Sequence, residues 1–251
     1  SCMMTFDVNG NVLDHTITES VICVDERMSY TGVKAILEGQ EHPEGKREDI
    51  RALCFLMKEA AAILKEKRRK RGAIDFDFPE SKIIVDDKGY PIDIHPYERN
   101  VATDIIEDFM LLANETVAED YFWQEIPFLY RTHETPDSDK IKKLDTFIHN
   151  FGYYMKTGRE NFHPKEIQKL LFSLEGEPEE PLISRLALRS MKQAKYTMLN
   201  VGHFGLSTQY YTHFTSPIRR YPDLQIHRII KENIHGKLNQ KRLEHYEAIL
   251  P

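Results

Sequence analysis

The chain has 251 residues, with 34 Lys and Arg against 40 Asp and Glu and a formal net charge of −6. Hydrophobic residues make up 41% and charged residues 29%, a balance that supports one large or two small packed domains. It excludes a disordered tail, a collagen-like fibre and a disulfide scaffold. No apolar run reaches the roughly 18 residues of a membrane span. The sequence opens without a signal-peptide pattern, and Cys2, Cys23 and Cys54 lack C-x-x-C spacing, so a cytoplasmic protein with reduced thiols is expected.

Residues 1–24 alternate as two strands around Asn9-Gly10, the second running through ITESVICV, and Asn-Gly favours a two-residue type I′ turn. A strand at the extreme terminus suggests a missing partner and therefore a fragment. Residues 29–39 read as a helix stopped by Gly39, with Val33, Ile36 and Leu37 on one face. Over 47–70, Ile50, Leu53, Met57, Ala61 and Leu64 recur at helical spacing. The basic end of that helix complements its dipole, and Gly72 closes it.

AIDFDF at 73–78 has strand alternation, and 82–94 reads as a hairpin turning at Lys88-Gly89. Helices then dominate: 99–121, with Val101, Ile105, Phe109, Leu112 and Thr116 on one face, followed by 136–151, 164–174 and 182–195. Residues 201–214 look extended and aromatic. Thr215 or Ser216 is expected to cap a final helix reaching about His235, with Pro217 in its first turn. The class is α+β, with antiparallel strands packed against several helices.

Charge is unevenly spread. Residues 65–71, KEKRRKR, carry six positive and one negative side chain, and residues 98–125 carry eight negative and one positive. The basic run could track phosphates, although a basic helix end needs no ligand and a solvated face is the preferred reading. Asp75, Asp77 and Glu80 could hold Mg²⁺ with substrate phosphates, or face solvent from a strand edge. No H-E-x-x-H, Walker loop or G-x-G-x-x-G is present, which disfavours nucleoside-triphosphate and dinucleotide cofactors.

The densest chemistry lies in 203–228. A Thr215-Ser216-Pro217 helix start offers free N–H groups, and Arg219 and Arg220 in its first turn oppose the dipole unless an anion such as a phosphate sits there. Alternatively, the arginines pair with Asp223. Tyr30 follows Arg27, and Tyr130 precedes Arg131 and His133. Such aromatics can stack on the bases of single-stranded nucleic acid, or they can be core residues.

The stretch from His203-Phe-Gly-Leu through Phe214-Thr-Ser-Pro-Ile-Arg-Arg-Tyr-Pro-Asp223 to His227 resembles the signature of RNB-domain exoribonucleases, the ribonuclease II and ribonuclease R family. ERMSYTGV (26–33), RGAIDFDFPE (71–80), IIEDFMLLAN (105–114), PFLYRTH (127–133) and LRSMKQAKY (188–196) extend the resemblance over nearly the whole chain.

The resemblance implies an RNB catalytic-domain fold, truncated on its N-terminal side, within a processive 3′→5′ hydrolase. That enzyme would release nucleoside 5′-monophosphates from the 3′ end of single-stranded RNA. By motif position Tyr30 and Tyr130 would clamp the terminal bases, while Arg219, Arg220, Thr215 and Ser216 would contact phosphate. Glu107 and Asn114 fall in a family motif without an assigned role. Metal-assisted attack by water, in which two Mg²⁺ ions activate the nucleophile and stabilise the leaving oxygen, would be the chemistry. The aspartates that bind that metal are expected upstream of residue 1, and a catalytic Arg beyond Pro251. The flanking OB-fold RNA-binding domains are likewise expected outside the chain. No membrane partner is implied, and a non-catalytic RNB-like RNA-binding module is the alternative.

Overall fold

A computed structural model of the chain describes residues 1–75, 81–96, 99–157 and 162–251. They divide into two compact units, one of residues 1–22, 63–74 and 110–251 and the other of residues 23–62 and 75–109. Among the described residues there are eight α-helices and three antiparallel two-stranded sheets, the α+β mixture expected.

In the first unit, β1 (Cys2–Phe6) pairs with β2 (Val12–Ile17). The turn between them is longer than a two-residue hairpin because the Asp7 carboxylate organises it, accepting from Asn9 N at 2.9 Å and Asn11 N at 2.8 Å. The second strand does not continue through ITESVICV: residues 18–29 carry no regular structure, and Val21 and Ile22 are exposed. Alternation alone does not make a strand where no neighbour accepts its ladder.

The second unit begins with α1 (Tyr30–Leu37), capped by the Ser29 hydroxyl, which accepts from Gly32 N at 3.0 Å. The Glu44 carboxylate, from a 3-10 turn at Pro43–Gly45, fixes the cap by accepting from both Ser29 N and Ser29 Oγ. Helix α2 (Glu48–Arg71) contributes its first turns here, and Cys54 and Ala61 pack with Ile36, Leu37 and Ile105 in the unit's core. The hairpin at 82–94 is present as β3 (Ser81–Val85) and β4 (Pro91–Pro96). Of the strand expected at 73–78, residues 73–75 have no regular structure and the rest lie outside the described residues.

Helix α3 (Val101–Trp123) buries Ile105, Asp108, Leu111, Asn114, Val117, Ala118 and Tyr121. That stripe is rotated from the one read in the sequence, since Leu112 and Phe109 are only half-buried. Two polar side chains, Asp108 and Asn114, face inward, so a hydrophobic count misplaces the face. The first unit's core joins Val117, Ala118 and Tyr121 to Phe128, Tyr130, Ile226, Ile229 and Tyr246.

Three helices follow: α4 (Ser138–His149), α5 (Pro164–Leu174) and α6 (Glu180–Ser190). The short strands β5 (Tyr130–Thr132) and β6 (Lys195–Thr197) pair between them, and α8 (Gln240–Ile249) ends the chain. Gly72 ends α2 with φ +102°, where a Cβ would lie 2.9 Å from Lys165 Cβ, so only glycine lets α5 approach this closely.

The last major helix, α7 (Tyr221–Ile234), starts later than expected. Thr215 and Ser216 do not cap it. Residues 217–219 form a separate turn, Arg220 occupies the cap position, and Pro222 rather than Pro217 takes the first turn. The reason is local: Arg219 N and Arg220 N both donate to Ser216 O, at 3.2 and 3.1 Å, closing the turn before helical bonding begins.

Candidate nucleic-acid interface

The Thr215–Arg220 turn is pinned from three sides. Asn114, buried on α3, accepts from Phe214 N at 2.9 Å and donates to the Tyr211 hydroxyl at 3.3 Å. Thr212 Oγ1 donates to Leu129 O at 2.6 Å. On α7, His227 stacks on Phe214 with ring centroids 4.5 Å apart, and its Nε2–H donates to Phe214 O at 2.8 Å. The fully buried Asp223 closes the arrangement by accepting from Ser216 N at 2.7 Å and from Arg220 Nε and a terminal nitrogen at 2.9 and 2.8 Å.

Arg220 is therefore held by Asp223, the ion-pair alternative left open by the sequence. Ser216 has its N–H committed to that carboxylate, and the Thr215 hydroxyl is buried without a hydrogen-bond partner. Neither faces solvent as an open helix N-terminus would, and the phosphate donors expected from a helix start here are not assembled. Arg219 is different. It is exposed at the tip of the turn beside Ile218, which is 97% exposed, and it has no ion pair among the described residues.

Tyr130 requires the clearest correction. It is 4% exposed, edge-on to Phe122 and Phe128 at 6.5 and 5.8 Å, and burial pushes its phenol pKa up. A ring enclosed in the core has no free face for a base. Strand β5 alternates buried, half-buried, buried, so the residue it turns outward is Arg131. The Arg131 guanidinium lies 4.7 Å from the centre of the Tyr196 ring, and Tyr196 hydrogen-bonds His213 at 2.6 Å. Arg131, Arg219 and Arg220 surround this segment with Asp223 as the opposing buried acid. Burial, with Arg220 next, accordingly holds His213 down to about 4. The sequence reading missed Arg131, because the strand that turns it outward pairs with residues more than sixty positions away.

Tyr30 belongs to the second unit. It is 49% exposed as the first residue of α1 and lines a cavity of about 780 Å³ with Ser29, Val33, Glu44, Met57 and Ile105. It thus keeps an open ring. Asp75 is paired with Arg99 at 3.2 Å, and Arg99 also holds Glu107 at 2.9 Å. Asp77 and Glu80 lie outside the described residues. The KEKRRKR run is largely satisfied internally: Arg71 forks onto Glu115, Arg69 onto Glu66, and Lys67 donates to Gly10 O.

Histidine burial sets a pH dependence. Burial, with His133 and Arg131 nearby, pushes His203 down to about 3, so it is neutral when folded, whereas an unfolded His titrates near about 6.5. Between those values the unfolded chain binds the extra proton. The stabilisation is whole above pH ~6.5 and is lost as pH falls, by up to about 1.4 kcal/mol per pH unit. Urea midpoints measured from pH 7.5 to 4.5 should fall less steeply for His203→Gln than for the native chain; parallel slopes would remove His203 as the cause.

The α+β fold is that of an RNB domain. The family model described as "RNB domain" matches residues 1–236, and the chain belongs to that family. It is 41% identical over its whole length to Ribonuclease R 1 of Lactococcus lactis subsp. lactis, covering 31% of that protein. It is 45% identical over 93% of its length to Ribonuclease R of Aquifex aeolicus, covering 33% of it. The chain thus spans about a third of these curated relatives. Mycoplasma genitalium RNase R in complex with ribose methylated single-stranded RNA superposes with TM-score 0.91 at 27% identity, over 99% of this chain and 39% of that one. Yeast Ssd1, described as a pseudonuclease, shares the fold with TM-score 0.70 at 19% identity, over 98% of this chain and 31% of that one.

Proposed function

We propose that the whole protein is a processive 3′→5′ exoribonuclease that hydrolyses single-stranded RNA to nucleoside 5′-monophosphates, with this chain supplying part of the channel that grips the strand. The observation that carries the reading is the rigid turn that presents Arg219 to solvent with Arg131 and Arg220 around it. An exposed guanidinium presented this way, as that of Arg219 is, can take a phosphate oxygen pair. Tyr30 supplies an aromatic face on which a base can stack. Arg220, Ser216 and Thr215 are positioning residues that hold the turn.

RNase R of M. genitalium has been described both with single-stranded RNA bound and in complex with double-stranded RNA, which favours RNA as the ligand here. Hydrolysis in such an enzyme would use divalent metal. Among the described residues no three His, Cys, Asp or Glu side chains come together to hold an ion. The 251-residue chain is therefore expected to retain single-stranded RNA in Mg²⁺ buffer without releasing mononucleotides; 5′-monophosphates from a sample of that mass alone would overturn this. A non-catalytic RNA-binding module is the second reading, since Ssd1 carries the same fold and fold does not fix chemistry.

Replacing Arg219 by Ala should weaken single-stranded RNA binding and reduce the slope of log K against log salt by about 0.7, the contribution of one phosphate on a single strand. Filter-binding or anisotropy titrations over a salt series read this directly. An unchanged slope would take Arg219 off the phosphate path.

A further inference from the structure

In the first unit a second cavity, of about 860 Å³, opens between the end of α3, the start of α5 and the 200–210 loop. Its size is that of a small-molecule site. The loop is a built feature. Phe204 N donates to His133 O at 2.8 Å, Gly205 N to His133 Nδ1 at 3.1 Å, and His203 and Thr208 bond each other through both backbones. Gly202, with φ +78°, sits where a Cβ would fall 3.0 Å from Thr208 O. Ser207 is a non-glycine residue at φ +51°, kept there by its hydroxyl donating to Arg71 O at 3.0 Å. Strained backbone held by over-determined contacts is a mark of functional loops.

Three properties define what this cavity can take. One wall is aromatic: Phe122 and Tyr210 lie 4.8 Å apart, and Trp123, 69% exposed, adjoins Tyr210 at 6.4 Å. The lining also carries neutral hydrogen-bonding groups. His203 Nδ1 accepts from Leu206 N at 3.1 Å, which leaves the proton of its neutral ring on Nε2, and His163 Nδ1 accepts from Lys165 N at 3.1 Å. His203 and His163 both line the cavity, as does the exposed Gln209, whose amide has no hydrogen bond among the described residues. Finally, Lys67 and Arg71 in the lining are balanced by Glu115 and Glu119, and the Arg71–Glu115 fork is already closed. Such a lining has no net attraction for an anion. It suits a flat, uncharged heterocycle with a hydrogen-bonding edge.

We propose that this cavity is a binding site for a single unpaired nucleobase, stacked on the Phe122–Tyr210 wall and hydrogen-bonded by His203 and Gln209. The base can come from a free nucleoside or from a nucleotide within an RNA strand. The proposal goes beyond the exoribonuclease reading and needs neither cleavage nor metal.

Trp123 is the chain's one tryptophan, so its fluorescence reports on the cavity. Titration of the 251-residue chain with adenosine or uridine, in buffer without divalent metal, should give saturable quenching, and inorganic phosphate should neither quench nor compete. Tyr210→Leu keeps bulk but removes the stacking face and should weaken binding at least about fivefold. Gln209→Ala, at an exposed position that the fold does not need, should weaken it as well. Substituting oligouridylate for uridine distinguishes the sources. Tighter binding that Tyr210→Leu abolishes identifies a base in a strand, and equal affinity identifies the free nucleoside. Quenching that never saturates, native affinity in folded Tyr210→Leu, or competition by phosphate would each overturn the site.

Discussion

Asp223→Ala should destabilise the chain by about 3–5 kcal/mol, the cost of leaving one partner of a buried ion pair uncompensated. Asp223 is fully buried and does three jobs at once: it accepts from Ser216 N and from two nitrogens of Arg220. With it removed, a partly buried guanidinium and a buried N–H lose their only acceptor at this turn, and the loop that presents Arg219 comes loose. Urea denaturation should show the loss. Single-stranded RNA affinity, measured where the variant is still folded, should fall with it. Arg219→Ala provides the contrast, because Arg219 is exposed and unpaired among the described residues. It should leave the urea midpoint within about 0.5 kcal/mol of native while still weakening RNA. If Asp223→Ala is as stable as the native chain, the carboxylate does not hold the turn.

The two tyrosines singled out as base clamps should now behave oppositely. Tyr130→Ala removes an aromatic ring from the core formed with Phe122 and Phe128, and should cost about 3–5 kcal/mol, as truncating large buried aromatics does. Tyr30→Ala removes a half-exposed ring at the start of α1, whose cap is made by Ser29 and Glu44 and not by the tyrosine. Its stability should change by no more than about 0.5 kcal/mol. Its RNA affinity should drop by the equivalent of one stacked base, about 1–3 kcal/mol. Thermal melts alongside anisotropy titrations of both variants decide the matter. A large melting loss in Tyr30→Ala, or weakened RNA binding with unchanged stability in Tyr130→Ala, would reverse these roles.

The pair also shows how far the site was legible. PFLYRTH places Tyr130 directly before an arginine and ERMSYTGV places Tyr30 three residues after one, and motif position treats them alike. Burial separates them. At 130–132 a short strand turns alternate residues inward and outward, so the tyrosine goes to the core and the arginine out. At Tyr30 the chain enters a capped helix, and the ring stays half in solvent. The strand partner of 130–132 is Lys195–Thr197, more than sixty residues away, and no local pattern announces a pairing of that kind.

Asn114 makes the same point for the interior. In the sequence it is a polar residue within an apolar helical run, without a role. In the fold it sits on the buried face of α3 and satisfies two groups of a loop about a hundred residues later.

Most helices were determined by the sequence itself. Apolar recurrence at three and four, a Ser29 cap, Pro164 and Pro181 in first turns and Gly72 as a stop are local signals, and the elements at 30–37, 48–71, 164–174 and 180–190 follow them. Long-range competition for hydrogen bonds was decided only by the tertiary structure. Thr215-Ser216-Pro217 has the composition of a helix start, but Asp223 and Ser216 O claim the N–H groups first, and the helix begins at Tyr221. Residues 19–24 have the alternation of a strand but, among the described residues, no neighbour to pair with. A sequence states what each backbone segment can do; which partner reaches its donors and acceptors is a property of the folded chain.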